Sequence, residues 1–175
     1  MSEAHRPHLL IVDDEASVRA ALRRTFRKED YELSFAESGM EALELLKTSK
    51  PDLIISDHLM PQMTGLEFLK RCRLLYPDVG RVVLTGQAEM ETVIGAINDG
   101  EVFRFLRKPW DDDEVRLTVH LAIQHVRLER ENARLLKLLE HQATRIRQLE
   151  TDHPGITRIE RDPDGAIRID EDEPG

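Results

Sequence analysis

The stretch HLLIVDD at residues 8–14 ends a continuous apolar run on two adjacent carboxylates. A strand buried on one face alternates apolar with polar residues, whereas Leu9-Leu10-Ile11-Val12 does not alternate, which is the pattern of a central strand covered on both faces. Residues 53–56, LIIS, repeat it and run into Asp57. Three further β-rich runs follow the same rhythm at residues 31–36, 81–84 and 102–106. Between the runs, apolar residues recur at steps of three and four, as in Val18, Leu22 and Phe26, or Leu66, Leu69, Cys72 and Leu75, which is helical spacing. Strands alternating with helices predict an α/β fold, a doubly wound five-stranded parallel sheet. Such sheets bind ligands beyond the carboxyl ends of their strands, and the chain puts its polar residues there.

Composition narrows the function. A chain of 175 residues holds one ordinary domain and an appendage. A net charge of -9 opposes broad attachment to nucleic acid or to an anionic membrane, so neither is expected as a partner. With Cys72 as the single cysteine there is no internal disulfide. Neither a secretory leader nor an apolar run of about 18 residues is found, so a cytoplasmic location is expected.

Asp13 and Asp14 follow the first run, Asp57 ends the third, Thr85 ends the fourth and Lys108 follows the fifth. On a parallel sheet these positions share one edge. Several carboxylates in one pocket repel unless a cation or lysine joins them. Hard oxygen ligands in a partly open site suit Mg²⁺, which keeps several waters and accepts phosphate oxygens. A carboxylate beside that ion attacks phosphorus, and Asp57, the central residue, is the expected phosphoacceptor. Thr85 would donate its hydroxyl to one phosphoryl oxygen and Lys108 would bind another.

The Asp13-Asp14 pair, Asp57, Thr85 and Lys108-Pro109 resemble the signature of bacterial response-regulator receiver domains. Residues 102–113, VFRFLRKPWDDD, are similar to receivers of the cyclic-di-GMP phosphodiesterase and hydrogenase-regulator type. The resemblance implies the strand order 2-1-3-4-5 and a phosphoryl group taken from a histidine kinase or histidine phosphotransfer protein. It also implies that Asp14 binds Mg²⁺ directly, Asp13 through water or as a secondary ligand, Asp57 through one carboxylate oxygen and His58 through its backbone carbonyl. Thr85 and Phe105 correspond to the family's switch pair, and Lys108 would precede a cis proline. Leu59 and Gln87 stand where the family controls the approach of water to the acyl phosphate. An apolar Leu59 cannot orient water and Gln87 is no general base, so a long-lived phosphoryl group is expected.

Other residues have plainer readings. The ring of His58 is not expected to act, Cys72 sits on an apolar helix face as core, and Trp110 is a packing anchor.

After Pro109 no glycine or proline occurs until Pro154, and Asp111 to Glu114 supply negative charge where a helix N-terminus favours it. One long helix is predicted. Leu121, Leu128, Leu135 and Leu149 fall at heptad position d, with Gln142 interrupting, while His125, Asn132, Leu139 and Ile146 fall at position a. Leucine at d with one asparagine at a suits a parallel two-stranded coil. The expected dimer seam is Leu121, Leu128, Asn132, Leu135, Leu139, Ile146 and Leu149. Interspersed Glu129, Glu131 and Glu140 favour a solvated flank over DNA contact by Arg127, Arg130, Arg134 and Lys137. In the tail, residues 156–160 and 166–169 flank the turn sequence Asp162-Pro163-Asp164-Gly165, which reads as a hairpin or as disorder.

These expectations divide the chain into a receiver at 1–124, a coiled-coil extension at 125–150 and an acidic tail at 151–175. They describe a Mg²⁺-dependent phosphoprotein that catalyses only its own phosphorylation and dephosphorylation, with no DNA-binding or enzymatic output domain. It would signal to an unknown downstream protein through a changed dimer or partner interface. The competing readings are a constitutive coiled-coil adaptor and a stand-alone phosphorelay intermediate or sink.

Overall fold

A computed structural model describes residues 6–99 and 102–153. The chain alternates β1 (His8–Val12), α1 (Ala16–Thr25), β2 (Glu32–Ala36), α2 (Gly39–Thr48), β3 (Leu53–Asp57), α3 (Gly65–Leu75), β4 (Gly80–Thr85), α4 (Met90–Asn98), β5 (Arg104–Arg107) and α5 (Asp112–Asp152). All neighbouring strands pair in parallel, and the sheet order is β2-β1-β3-β4-β5. The expected doubly wound topology is therefore present.

The unbroken apolar runs divide by strand geometry. Leu10, Val12, Ile54 and Val83 face one core, shared with Ala42 and Leu46 of α2, Phe68 and Cys72 of α3, and Val93 of α4. Leu9, Ile11, Leu53, Ile55, Val82 and Leu84 face the other, shared with Leu22 and Phe26 and with Val115, Val119 and Ile123 of α5. Successive strand residues point to opposite sides, so a strand between two cores must be apolar throughout. Cys72 is buried as expected, and burial pushes its thiol up to about 12, which keeps it protonated and unreactive.

The fifth strand begins later than the apolar pattern suggests. Val102 is buried and Phe103 packs into a core, but ladder pairing starts at Arg104, opposite Val82. Apolar residues on the approach to a strand look like the strand itself.

By compactness the chain divides into residues 1–130 and 131–175. The first unit runs past residue 124 because α5 stays attached: Val126 is buried, and Arg130 donates to the carboxylate of Asp52 and to the carbonyl of Asp78. His125, an a position of the heptad pattern, stacks on Phe103 with ring centroids 4.4 Å apart and contacts Glu129 at 3.2 Å. In the second unit the described residues 131–153 are exposed. The anticipated hairpin at 156–169 lies outside the described residues. No described helix is long and apolar enough to cross a membrane.

Candidate functional site

Strand register brings the polar residues together. Val12 pairs with Ser56, Asp57 with Leu84 and Thr85 with Arg107, so the ends of β1, β3, β4 and β5 lie side by side. Asp13 follows β1 and is fully buried, Asp57 closes β3 at 7% exposure, and Thr85 closes β4, also fully buried. Lys108 follows β5, and its main-chain N–H donates to the Thr85 carbonyl at 2.8 Å. The Lys108-Pro109 peptide bond is cis.

The Lys108 ammonium stands between two carboxylates, 2.6 Å from Asp57 Oδ1 and 3.1 Å from Asp13 Oδ2. The remaining carboxylate oxygens take main-chain donors: Glu15 N–H to Asp13 Oδ1 at 2.8 Å, and Leu59 N–H to Asp57 Oδ2 at 3.0 Å. Burial pushes the Asp13 carboxyl above the ordinary carboxylate range, against the Glu15 N–H and Lys108, which pull it down. Burial alone would lower the Lys108 pKa. Its hydrogen bond to Asp57 and the two negative charges outweigh that and hold it above lysine's usual value.

Asp13 and Asp14 part company. Asp13 is enclosed with both oxygens engaged, whereas Asp14 is exposed at the rim and its carboxylate accepts no hydrogen bond among the described residues. Phe105 is half-buried against the α2–α3–α4 core. Thr85 Oγ1 donates to the Gly86 carbonyl at 3.2 Å, and so is not bonded to either carboxylate.

The loop from His58 to Thr64 closes the pocket. His58 N–H donates to the Leu84 carbonyl, and the His58 carbonyl accepts the Gly65 N–H, both at 2.8 Å. This hydrogen bond engages one of the two lone pairs of the His58 carbonyl within the loop. The Leu59 carbonyl accepts no hydrogen bond among the described residues. Thr64 opens α3 with a capping box: its side chain accepts the Glu67 N–H, and Glu67 accepts the Thr64 N–H. Sequence reading missed the part played by Gly65 here, and the Leu59 main chain escaped it as well.

Among the described residues no three His, Cys, Asp or Glu side chains gather at metal-binding spacing. The donor chemistry nonetheless fits Mg²⁺, which takes one or two protein carboxylates and completes its shell with water and phosphate oxygens. Two buried carboxylates with one lysine, and Asp14 at the rim, leave an uncompensated negative charge that a divalent cation would neutralise.

The family model for the response regulator receiver domain matches residues 9–120. The chain is 37% identical over 123 residues to the hydrogenase transcriptional regulatory protein HoxA of Bradyrhizobium diazoefficiens, a match covering 70% of this chain and 25% of that one. It therefore spans about a quarter of that relative's length. Sporulation initiation phosphotransferase F of Bacillus subtilis is 33% identical over 108 residues, covering 62% of this chain and 86% of that protein. The solved signal receiver domain of an HD domain-containing protein from Pseudomonas fluorescens Pf-5 superposes with a TM-score of 0.70 at 37% identity, covering 75% of this chain and 96% of that one.

Proposed function

Because the chain belongs to the response-regulator receiver family, we propose that it takes a phosphoryl group from a histidine kinase or histidine phosphotransfer protein onto Asp57. The observation that carries this reading is Lys108 held between Asp57 and Asp13 at the strand ends. A carboxylate oxygen of Asp57 forms the new bond to phosphorus as the bond from phosphorus to the donor nitrogen breaks, and the histidine leaves with its electron pair. Lys108, already charged, moves from carboxylate to phosphoryl oxygen, and Thr85 turns its hydroxyl from Gly86 toward another oxygen. Phe105, half-exposed, follows into the space that Thr85 vacates.

Asp14, Asp57 and the Leu59 carbonyl would hold Mg²⁺, with Asp13 acting through water. The ion supplies neutralisation of charge on the transferring group. Substitution Asp57→Ala should abolish labelling by acetyl phosphate with Mg²⁺. Labelling that persists at another residue overturns the assignment.

The reading extends to output. The apolar stripe of α5, with Leu121, Leu128, Leu135, Leu139, Ile146 and Leu149 all exposed, supports a parallel homodimer with Asn132 fixing its register. Residues 1–124 would form the receiver, 125–150 the coil and 151–175 an acidic tail, with the signal passed as a change at the dimer or a partner interface. The similarity to a phosphotransferase that this chain matches over most of its length supports a second reading, a stand-alone phosphorelay intermediate. Fast back-transfer to a purified histidine phosphotransfer protein separates the two.

A further inference from the structure

We propose that the C-terminal end of α1, together with Arg116 of α5, is a docking face for an acidic peptide segment of a partner protein. Arg24, Arg27 and Lys28 are exposed, and none makes a side-chain hydrogen bond or ion pair among the described residues. With Thr25, Glu29 and Arg116 they line a single concavity of about 500 Å³. Glu29 and the Arg116–Asp113 pair offset only part of this positive charge, in a chain whose net charge is -9.

The neighbouring cations are all occupied. Arg19 pairs with Glu37 at 2.6 Å and Arg6 with Asp30 at 2.9 Å, while the Arg23 guanidinium lies over the Phe35 ring at 4.4 Å; within the face itself, Arg116 is shared with Asp113 at 2.6 Å. Basic residues in a helix's last turn complement its dipole, which accounts for Arg23 and Arg24. Arg27 and Lys28 lie beyond that turn, where the dipole no longer accounts for them, and share one concavity with Arg24. Packing gives no reason for it.

The chemistry favours carboxylates. Guanidinium forks bind carboxylates through two parallel hydrogen bonds, and Glu29 within the concavity breaks the positive field into separated positions. Spaced acidic side chains fit that pattern, whereas a continuous phosphate backbone would meet both Glu29 and the repulsion of the whole molecule. The face is also separate from the strand-end pocket: none of its lining residues is one of the pocket's carboxylates, Thr85 or Lys108.

The test titrates the full chain with a fluorescent peptide of mixed aspartate, glutamate and glycine, and in parallel with duplex DNA and inorganic phosphate. The peptide should bind at low salt and weaken as salt is raised. Charge reversal by Arg24→Glu, Arg27→Glu and Lys28→Glu together should lower affinity by about tenfold or more, as three modest surface attractions become repulsions. Reversal of Arg134 and Lys137 to Glu should leave it unchanged, and acetyl-phosphate labelling should persist in both variants, reporting an intact fold. Equal loss in the two variants, or tighter binding of DNA or phosphate, overturns the proposal. So does a gain in peptide affinity when Asp170, Glu171, Asp172 and Glu173 become Ser, because the chain's own tail would then be the occupant.

Discussion

A β-carbon on Gly65 would stand 1.8 Å from the main-chain oxygen of Asp57, far inside any real contact. The opposing atom is backbone and cannot swing aside. The first residue of α3 therefore sets how closely the loop folds over the residue that ends β3. Gly65→Ala should cost about 3 kcal/mol, the upper range for overpacking a tight site, and should displace the Asp57 carboxylate. Urea unfolding would show a lower midpoint, and labelling by acetyl phosphate would fall more than a global loss of stability explains. Wild-type labelling in the variant would mean that the loop tolerates displacement.

Asp13 is held above the ordinary carboxylate range, chiefly by burial. A folded-state pKa above the unfolded value means that the fold binds the proton more tightly, so stability falls as pH rises from about 3.8 through the raised folded value. At neutral pH the ionised side chain therefore lowers stability. Asp13→Asn should unfold at higher urea than wild type at pH 7, and the difference should vanish in acid, where both side chains are neutral. Lys108 has the same sign at higher pH: its raised pKa adds stability below about 10.5 that is lost as pH climbs through the folded value. An Asp13→Asn protein less stable than wild type at neutral pH would show that the Lys108 contact outweighs burial.

Most of the fold was legible because it depends on side-chain type at fixed periods. Leu9 to Val12 and Leu53 to Ile55 read as central strands since only two-sided burial requires every residue to be apolar. Asp13, Asp57, Thr85 and Lys108 could be placed at one edge once strand direction was known. What the sequence hides is backbone direction and chain approach. Nothing in the identity of His58 reveals that its carbonyl turns to the Gly65 N–H. The division between an enclosed Asp13 and a rim Asp14 follows from how β1 ends, and adjacent identical residues cannot announce it.

Leu59 is 56% exposed at the mouth of the pocket while its N–H holds Asp57 Oδ2 at 3.0 Å. Its backbone organises the carboxylate and its apolar side chain offers water no hydrogen bond. The phosphoryl group on Asp57 should accordingly outlast a timescale of seconds in Mg²⁺. Leu59→Asn, which keeps the main-chain donor and adds a group able to orient water, should shorten the lifetime without reducing the initial extent of labelling. A half-life of seconds in the wild type, followed by loss of radiolabel, removes this idea.

Arg130 ties α5 to the far end of the sheet. Asp52 is 5% exposed and accepts both the His8 N–H at 2.9 Å and the Arg130 guanidinium, which also reaches the Asp78 carbonyl. Breaking a fully buried pair costs about 3–5 kcal/mol, but the Arg130 side chain is 37% exposed and solvent screens part of that. Arg130→Ala should therefore cost about 1–3 kcal/mol, measured by urea unfolding. Hydrogen exchange should accelerate first at the last receiver turn of α5, around Val126; uniform acceleration across the sheet would show that the contact is not local.

The proposed dimer seam makes the last prediction. Along α5 the buried residues are Val115, Thr118, Val119, Ala122, Ile123 and Val126, while Leu117, Leu121 and Leu128 are exposed at 60%, 39% and 64%. At 3.6 residues per turn the two sets lie roughly 150° apart around the helix axis, so packing on the receiver leaves the leucine stripe free. Leu135 and Leu139 continue the heptad and are exposed at 45% and 61%. Paired substitution Leu135→Glu and Leu139→Glu should convert the proposed dimer to monomer while leaving acetyl-phosphate labelling intact, because both side chains are exposed and lie outside the receiver fold. Asn132→Leu should strengthen association yet loosen its stoichiometry, since a carboxamide enclosed in the proposed seam would select two strands in register at a cost in stability. If beryllofluoride with Mg²⁺ shifts the wild-type association and fails to shift that of Asp57→Ala, pocket and seam are coupled. A dimer that survives both glutamates would put the interface elsewhere on the receiver.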